Sequence, residues 1–326
     1  MNTSGDGHKD EFDLISSFFS PLQGISESII CGIGDDCAVL QLPPDHLLAV
    51  STDTLIEDVH FPSSTAAHAI AYKALQVNLS DLAAMGARPA WFSLSLTLPE
   101  TIGESWLTDF AAGLRQAADE HQLHLIGGDT CAGKILSITI TIHGWLQTPY
   151  MPRNGARPGD WIVVTGPIGA ACLGLQITLH PEAFPQLSHN AKQQALEALN
   201  YPKAQVKQAM VIKQFAHSAI DISDGLWSDL GHILRQSCCG AMLQLDELPM
   251  PECLQEIDRE KAWHMALCGG DDYQLCFTIS PSHWFALEKI YRDSQFFHVL
   301  GKITEEKGIS LFFNNQPLEK IDGIPL

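Results

Sequence analysis

Seven aspartates lie in short Gly/Ser/Thr-rich stretches of this chain. They are Asp35 and Asp36 in Gly32-Ile-Gly-Asp-Asp-Cys37, Asp53 in Ser51-Thr-Asp-Thr54, Asp81 in Asn78-Leu-Ser-Asp81, Asp129 in Gly127-Gly-Asp-Thr130, and Asp221 with Asp224 in Asp221-Ile-Ser-Asp-Gly225. Each stretch reads as the end of a strand or the start of a helix, and most flank an apolar run. An unpaired carboxylate is too costly to bury, so a charge at a strand mouth is expected to meet something cationic. Oxygen ligands without His or Cys favour a hard ion, and Mg2+ is held by a few carboxylates while substrate phosphates complete its shell. The residues point to a Mg2+-dependent enzyme of phosphate chemistry.

Other motifs fail on their physical context. Gly128-Asp-Thr-Cys-Ala-Gly-Lys134 has the spacing of a P-loop, but Ile135 stands where a Mg2+-binding hydroxyl is needed, and an alternating strand follows where a P-loop opens a helix. Gly32-Ile-Gly34 lacks the third glycine and the helix of a dinucleotide fingerprint. His121 and His124 have no adjacent carboxylate and read as a solvated pair, not a zinc site. No nucleophile elbow or Cys/His motif supports covalent catalysis. Within the aspartate set, Asn78 and Asp81 lie three apart and project to one helix face, and Gly127-Gly128 leaves the backbone before Asp129 open to phosphate. Spread over both halves, these segments are expected to converge on a cleft between domains.

These residues need a scaffold, and 326 residues at 45% hydrophobic and 17% charged supply two ordinary domains with real cores. A net charge of −19 repels nucleic acid and anionic lipid, so neither is expected as a partner. It would repel a nucleotide too, unless metal ions invert the local field. The nine cysteines contain no C-x-x-C pair and read mostly as small buried hydrophobes in a reducing cytoplasm. The acidic N-terminus is unlike a signal peptide, and no apolar run approaches the ~18 residues of a membrane span.

Helical spacing appears over Glu11 to Phe19, Thr65 to Met85 and Glu104 to His121. Strand patterns lie at Cys37 to Leu42, Leu47 to Thr52, Trp91 to Leu98, Leu123 to Ile126 and Ile135 to Trp145. The Pro/Gly-rich stretch from Gln147 to Gly159 is the best boundary, giving domains at 1–148 and 149–326. The second half restarts with a strand at Trp161 to Thr165 and a helix opened by Gly166-Pro-Ile-Gly169. Further helical sequence runs to about Phe215, then a strand at Ala219 to Ile222, a helix from Asp224 to Gln236, and strands at Met242 to Leu245, Tyr273 to Ile279, Phe297 to Ile303 and Ile309 to Phe313. Two domains of α/β or α+β class are expected.

The ordered succession Gly-Ile-Gly-Asp-Asp-Cys-Ala-Val-Leu, Ser-Thr-Asp-Thr-Leu, Val-Asn-Leu-Ser-Asp-Leu-Ala-Ala-Met-Gly-Ala-Arg-Pro, Ile-Gly-Gly-Asp-Thr, Arg-Pro-Gly-Asp-Trp, Ile-Asp-Ile-Ser-Asp-Gly-Leu and Gly-Gly-Asp-Asp-Tyr strongly resembles the thiamine-monophosphate kinase family, from about Asp10 to Thr304. The resemblance implies the two-domain fold of aminoimidazole ribonucleotide synthetase, with an N-terminal α/β domain that builds a homodimer and a C-terminal α+β domain that completes the active-site cleft. It implies the reaction of ATP with thiamine monophosphate to give ADP and thiamine diphosphate. Carried over by motif, metal ligands fall on Asp36, Ser51, Thr52, Asp53, Asp81, Asp129, Asp221 and Asp224 for several Mg2+ ions. Nucleotide contacts fall on Gly128, Asp129, Arg153 and Ser223, and vitamin contacts on His60, Asp271 and Ile321. Asp271 stands where the family commonly has Glu, and Ile321 takes roughly the place of a family aromatic.

That chemistry needs no general base, because the acceptor phosphate monoester has a second pKa of about 6 and is ionised at neutral pH. A phosphatase would use the same aspartates and release phosphate, and a nucleotide sensor would bind ATP without turnover.

Overall fold

The computed structural model describes residues 14–290 and 296–318. Contacts divide the chain into two units, Met1–Asn78 with Pro89–Trp145, and Leu79–Arg88 with Leu146–Leu326. Among the described residues no helix is long and apolar enough to cross a membrane.

In the first unit a short antiparallel hairpin, β1 (Ile29–Cys31) and β2 (Val39–Leu40), carries Asp35 and Asp36 in its connection. Four longer strands, β3 (Leu47–Ile56), β4 (Arg88–Leu98), β5 (His124–Ala132) and β6 (Ser137–Leu146), form a sheet in the order β3-β6-β4-β5, with β4 and β5 parallel. Strand β6 shows why the sheet forms: Ile138, Ile140 and Ile142 are buried while Thr139, Thr141 and His143 alternate on the less buried face. Helix α1 (Ala67–Ala84), which belongs to the second unit from Leu79 onward, is almost wholly buried and buries even Lys73, Gln76, Asn78 and Ser80. Helix α2 (Glu104–His121) buries Leu107, Phe110, Leu114, Ala117 and Ala118, the spacing of one helical face.

The second unit is built on a seven-stranded mixed sheet of β7 (Trp161–Val164), β8 (Ala216–Asp221), β9 (Gly240–Gln244), β10 (Leu275–Ile279), β11 (His298–Thr304), β12 (Gly308–Phe313) and β13 (Gln316–Pro317). Its order is β13-β12-β9-β11-β7-β10-β8, antiparallel throughout except where β12 runs parallel to β9. Ile162, Val163 and Val164 are all inaccessible, so the central β7 reads as an unbroken apolar run, not an alternating one. The helices are α3 (Ala170–Leu179), α4 (His189–Asn200), α5 (Val206–Ile212), α6 (Leu226–Ser237), α7 (Arg259–Cys268) and α8 (Pro281–Ile290).

The aspartates do not all cap elements as expected. Asp53 sits inside β3 and Asp129 inside β5, while Asp81 lies within α1 near its end. Both strands are edges of the four-stranded sheet, and an edge strand tolerates charge because one side of it faces solvent. The cysteines also depart from expectation. Only Cys239, Cys253 and Cys276 are buried, whereas Cys31, Cys172 and Cys268 are half-buried and Cys37, Cys131 and Cys238 are exposed; all nine are free.

Gly127 and Gly128 differ in what they tolerate. A β-carbon on Gly128 would run into the Leu94 carbonyl of β4, whereas one on Gly127 would meet open space. Gly128→Ala is therefore expected to cost about 1 to 3 kcal/mol in a denaturant titration, because β4 and β5 cannot approach. Gly127→Ala is expected to stay within about 1 kcal/mol of the parent. Equal losses at the two positions would refute the packing account.

Candidate active site

In the first unit, strand alternation sorts the Ser51-Thr-Asp stretch. The Thr52 hydroxyl donates to Thr141 Oγ1 at 3.0 Å and Thr54 lies 2.9 Å from Thr139, so these two share the outer face of the sheet. Ser51 and Asp53 project to the other face. Asp53 is held by its backbone: its N–H donates to Oδ1 of Asn78 at 3.2 Å, and the Asn78 amide donates in turn to the Ala74 carbonyl at 2.9 Å. Asn78 is fully buried, so its bond to the Ala74 carbonyl is protected from water. Asp36 is exposed in the hairpin connection, its N–H donating to Oδ1 of Asp35 at 3.0 Å. Asp129 is exposed on β5, in register with Ser95 of β4.

His60 is exposed in the turn after β3, and its Nδ1 accepts the Ile56 N–H at 3.0 Å. A backbone N–H can only donate, so Nδ1 carries no proton and Nε2 is the hydrogen-bearing nitrogen of the neutral ring. His121 and His124 are half-buried, not a solvated pair. His121 lies 3.4 Å from the Gln76 amide nitrogen and His124 lies 2.8 Å from the Gln23 carbonyl. Lys134 and Ile135 fall in the turn between β5 and β6, with no helix following.

In the second unit the carboxylates are more enclosed. Asp221, 4% exposed at the end of β8, has its carboxyl pushed up to about 7, first by burial and then by the Asp81 charge beside it. The Ser80 hydroxyl eases that rise, yet it is fully buried and makes no well-formed hydrogen bond. Asp224 is exposed in the turn before α6. Gly225, at φ +104°, opens that helix, and a side chain there would strike Cys268. The sequence reading missed Asp229, which is 3% exposed in the first turn of α6. Its Oδ2 accepts the N–H groups of Ser223 and Asp224, each at 3.0 Å. Burial pushes its carboxyl up to about 6 with the Asp224 charge adding to the rise, while the Asp224 and Ser223 N–H bonds and, least, the exposed Arg153 guanidinium oppose it. The available signal was an acid on the apolar side of an amphipathic helix.

The Gly-Gly-Asp-Asp-Tyr stretch separates its two acids. Asp271, at φ +69°, accepts the Tyr273 hydroxyl on Oδ1 at 2.9 Å. Asp272 turns inward, accepts the Gly169 N–H at 2.7 Å at the start of α3, and is pushed up to about 8 by burial. Ile321 lies outside the described residues.

Among the described residues no group of three or more His, Cys, Asp or Glu side chains is gathered closely enough to hold a metal. Asp81 and Asp221 nevertheless fit a hard cation. The Asp81 charge raises the proton affinity of the buried Asp221, the buried Ser80 hydroxyl lies beside that carboxyl, and oxygen-only donors suit Mg2+.

The chain matches the family models for AIR synthase related protein, N-terminal domain, over residues 34–146 and C-terminal domain over residues 157–314. It is 44% identical to the thiamine-monophosphate kinase of Escherichia coli K12 over 280 residues, 85% of each chain. The crystal structure of thiamine-monophosphate kinase from Stenotrophomonas maltophilia K279a is 38% identical, with a TM-score of 0.82 over 90% of this chain and 93% of that one. A structure of AaThiL complexed with AMPPCP and TMP is 28% identical, with a TM-score of 0.75 over 95% of each chain.

The raised carboxyls of Asp221, Asp229 and Asp272 predict a pH dependence of defined sign. In the unfolded chain each titrates near ~4, so the folded protein holds more protons above that pH. Their stabilisation is complete below about pH 4 and is lost as pH rises through about 6 to 8. Metal-free protein in EDTA is expected to melt lower at about pH 8.5 than at about pH 6, and Asp221→Asn to flatten that difference. Mg2+ binds the ionised form, so it should raise the melting temperature more at the higher pH. An Asp221→Asn profile parallel to the parent would remove Asp221 from the account.

Proposed function

The chain belongs to the thiamine-monophosphate kinase family, a branch of the AIR synthase related proteins, and from that premise we propose how its own residues carry the reaction. It transfers the γ-phosphoryl group of ATP to the phosphate of thiamine monophosphate, leaving ADP and thiamine diphosphate. The acceptor oxygen is already ionised at neutral pH, so the protein's task is to align two anions and not to remove a proton. Bound Mg2+ would neutralise the phosphates and the charge on the transferring group. The observation that carries this reading is the buried Asp221 carboxyl beside the Asp81 charge and the Ser80 hydroxyl, an oxygen-only setting that a divalent cation would relieve.

In the first unit we assign ion binding to Asp36, Ser51, Asp53 and Asp129 through their side chains. Thr52 is assigned through its carbonyl oxygen, because its hydroxyl is engaged by Thr141. In the second unit the ion-binding residues are Asp81, Asp221 and Asp224. Nucleotide contacts are assigned to Gly128 and Asp129 in the first unit and to Arg153 and Ser223 in the second; the planar guanidinium suits a phosphate held by two parallel bonds. His60 offers an Nε2–H donor to the vitamin. Asp271, whose Oδ1 accepts the Tyr273 hydroxyl, is assigned to a cationic or amino group of that substrate.

We further assign the protein to a homodimer in the cytoplasm, where its free thiols stay reduced. Support for the dimer comes from the outer face of β3, where Leu48 and Val50 are 49% and 54% exposed in line with Thr52 and Thr54. An apolar edge of that kind is normally covered.

Incubation with ATP, Mg2+ and thiamine monophosphate, resolved by chromatography, is expected to yield thiamine diphosphate and ADP in equal amounts. Asp53→Asn and Asp129→Asn should each lower kcat by about a hundredfold or more and raise the Mg2+ requirement, whereas His60→Gln should raise KM for the vitamin with kcat near the parent. If His60→Gln abolished turnover at saturating substrate while both aspartate variants stayed active, a histidine base would replace this mechanism. Light scattering is expected to report a dimer that Val50→Asp converts to a monomer, and a monomeric parent protein would end the dimer assignment.

A further inference from the structure

The turn between β8 and α6 is gripped from two directions. From within the helix, one oxygen of the buried Asp229 accepts both the Ser223 and the Asp224 N–H. From the strand β10 approach, the Asp271 N–H donates to the Ser223 carbonyl at 2.9 Å and the Tyr273 N–H to the Ile222 carbonyl at 2.8 Å, while the Ile222 N–H donates to the Gln274 carbonyl at 2.7 Å. Ser223 is thus bonded on its N–H side by Asp229 and on its carbonyl side by Asp271. The helix has no other cap, because its N-cap is Gly225 and makes no side-chain bond. Without Asp229 two N–H groups at a partly buried helix start would lack their acceptor, and such groups either reach water by moving or destabilise what holds them.

We propose that Asp229 is a positioning residue for the phosphoryl transfer: its single oxygen fixes the Ser223-Asp224 turn and, through the Ser223 carbonyl, fixes Asp271. The nucleotide contact and the vitamin contact of this unit are then one hydrogen-bonded assembly. This rests on the roles given above to Ser223, Asp224 and Asp271. It also predicts which substitution is harmless, since both bonds fall on Oδ2 and an amide oxygen can take its place.

The test combines steady-state kinetics with hydrogen exchange of the full-length protein. Asp229→Ala is expected to raise KM for both ATP and thiamine monophosphate by about tenfold or more and to speed amide exchange of Ser223 and Asp224 by a similar factor. Asp229→Asn is expected to keep both KM values within about threefold of the parent. Should Asp229→Ala fail to fold, Asp229→Ser, too short to reach the turn, carries the same expectation. A variant with a lower melting temperature but unchanged KM values would make Asp229 merely structural and overturn the proposal. An Asn variant as impaired as the Ala variant would overturn it too, because charge and not the acceptor would then matter. A parent protein that makes no thiamine diphosphate would overturn the reading of the site itself, an outcome distinct from either.

Discussion

The cost of keeping a carboxylate out of water governs this molecule, and its buried acids meet that cost in different ways. Asp229 and Asp272 direct their oxygens at backbone N–H groups, at the starts of α6 and α3, where the helix dipole also favours negative charge. Asp221 has a second acid, Asp81, as its leading charged neighbour. The first arrangement is complete within the protein. The second is not, because the buried Asp221 faces another acid where Asp229 and Asp272 face N–H donors.

The exposed acids follow a different logic. Asp129 and Asp53 lie on edge strands, and what fixes Asp53 is its main chain, anchored to the buried Asn78 of α1. The same pleat that aims Ser51 and Asp53 together turns Thr52 away, so three consecutive oxygen-bearing residues present two side chains on one face and one on the other. The local shape of the site is thus set by the two-residue period of a strand as much as by the residue types.

Much of this was legible in the sequence wherever periodicity was strong. Helix α2 follows the expected Glu104 to His121 span, and the alternation of β6 predicts its buried isoleucines. Legibility failed where burial is uniform. Helix α7 carries Ala262, Trp263, Met265, Ala266 and Leu267 into the core, which erases the helical period, although Asp258 caps it with bonds to the Glu260 and Lys261 N–H groups. The apolar run Leu123 to Ile126 marks only the start of strand β5, which continues to Ala132, with Gly128 demanded by its neighbour Leu94. Among the site residues, the aspartates stood out by motif. Asp229 did not, because a lone acid in an amphipathic helix looks like surface until its bonds to Ser223 and Asp224 are seen.

The exposed thiols give the first unit built-in chemical handles. Cys131 lies two residues beyond Asp129 on β5 and therefore on the same face of the strand, and Cys37 directly follows Asp36 in the hairpin connection. Thiol alkylation would attach bulk beside both acids without altering either, so the effect of added ATP or Mg2+ on labelling tests whether they bind there and needs no turnover. The same two sulfurs are where air oxidation would first reach the neighbourhood of these acids, and reductant in storage is a requirement written into the strand pattern.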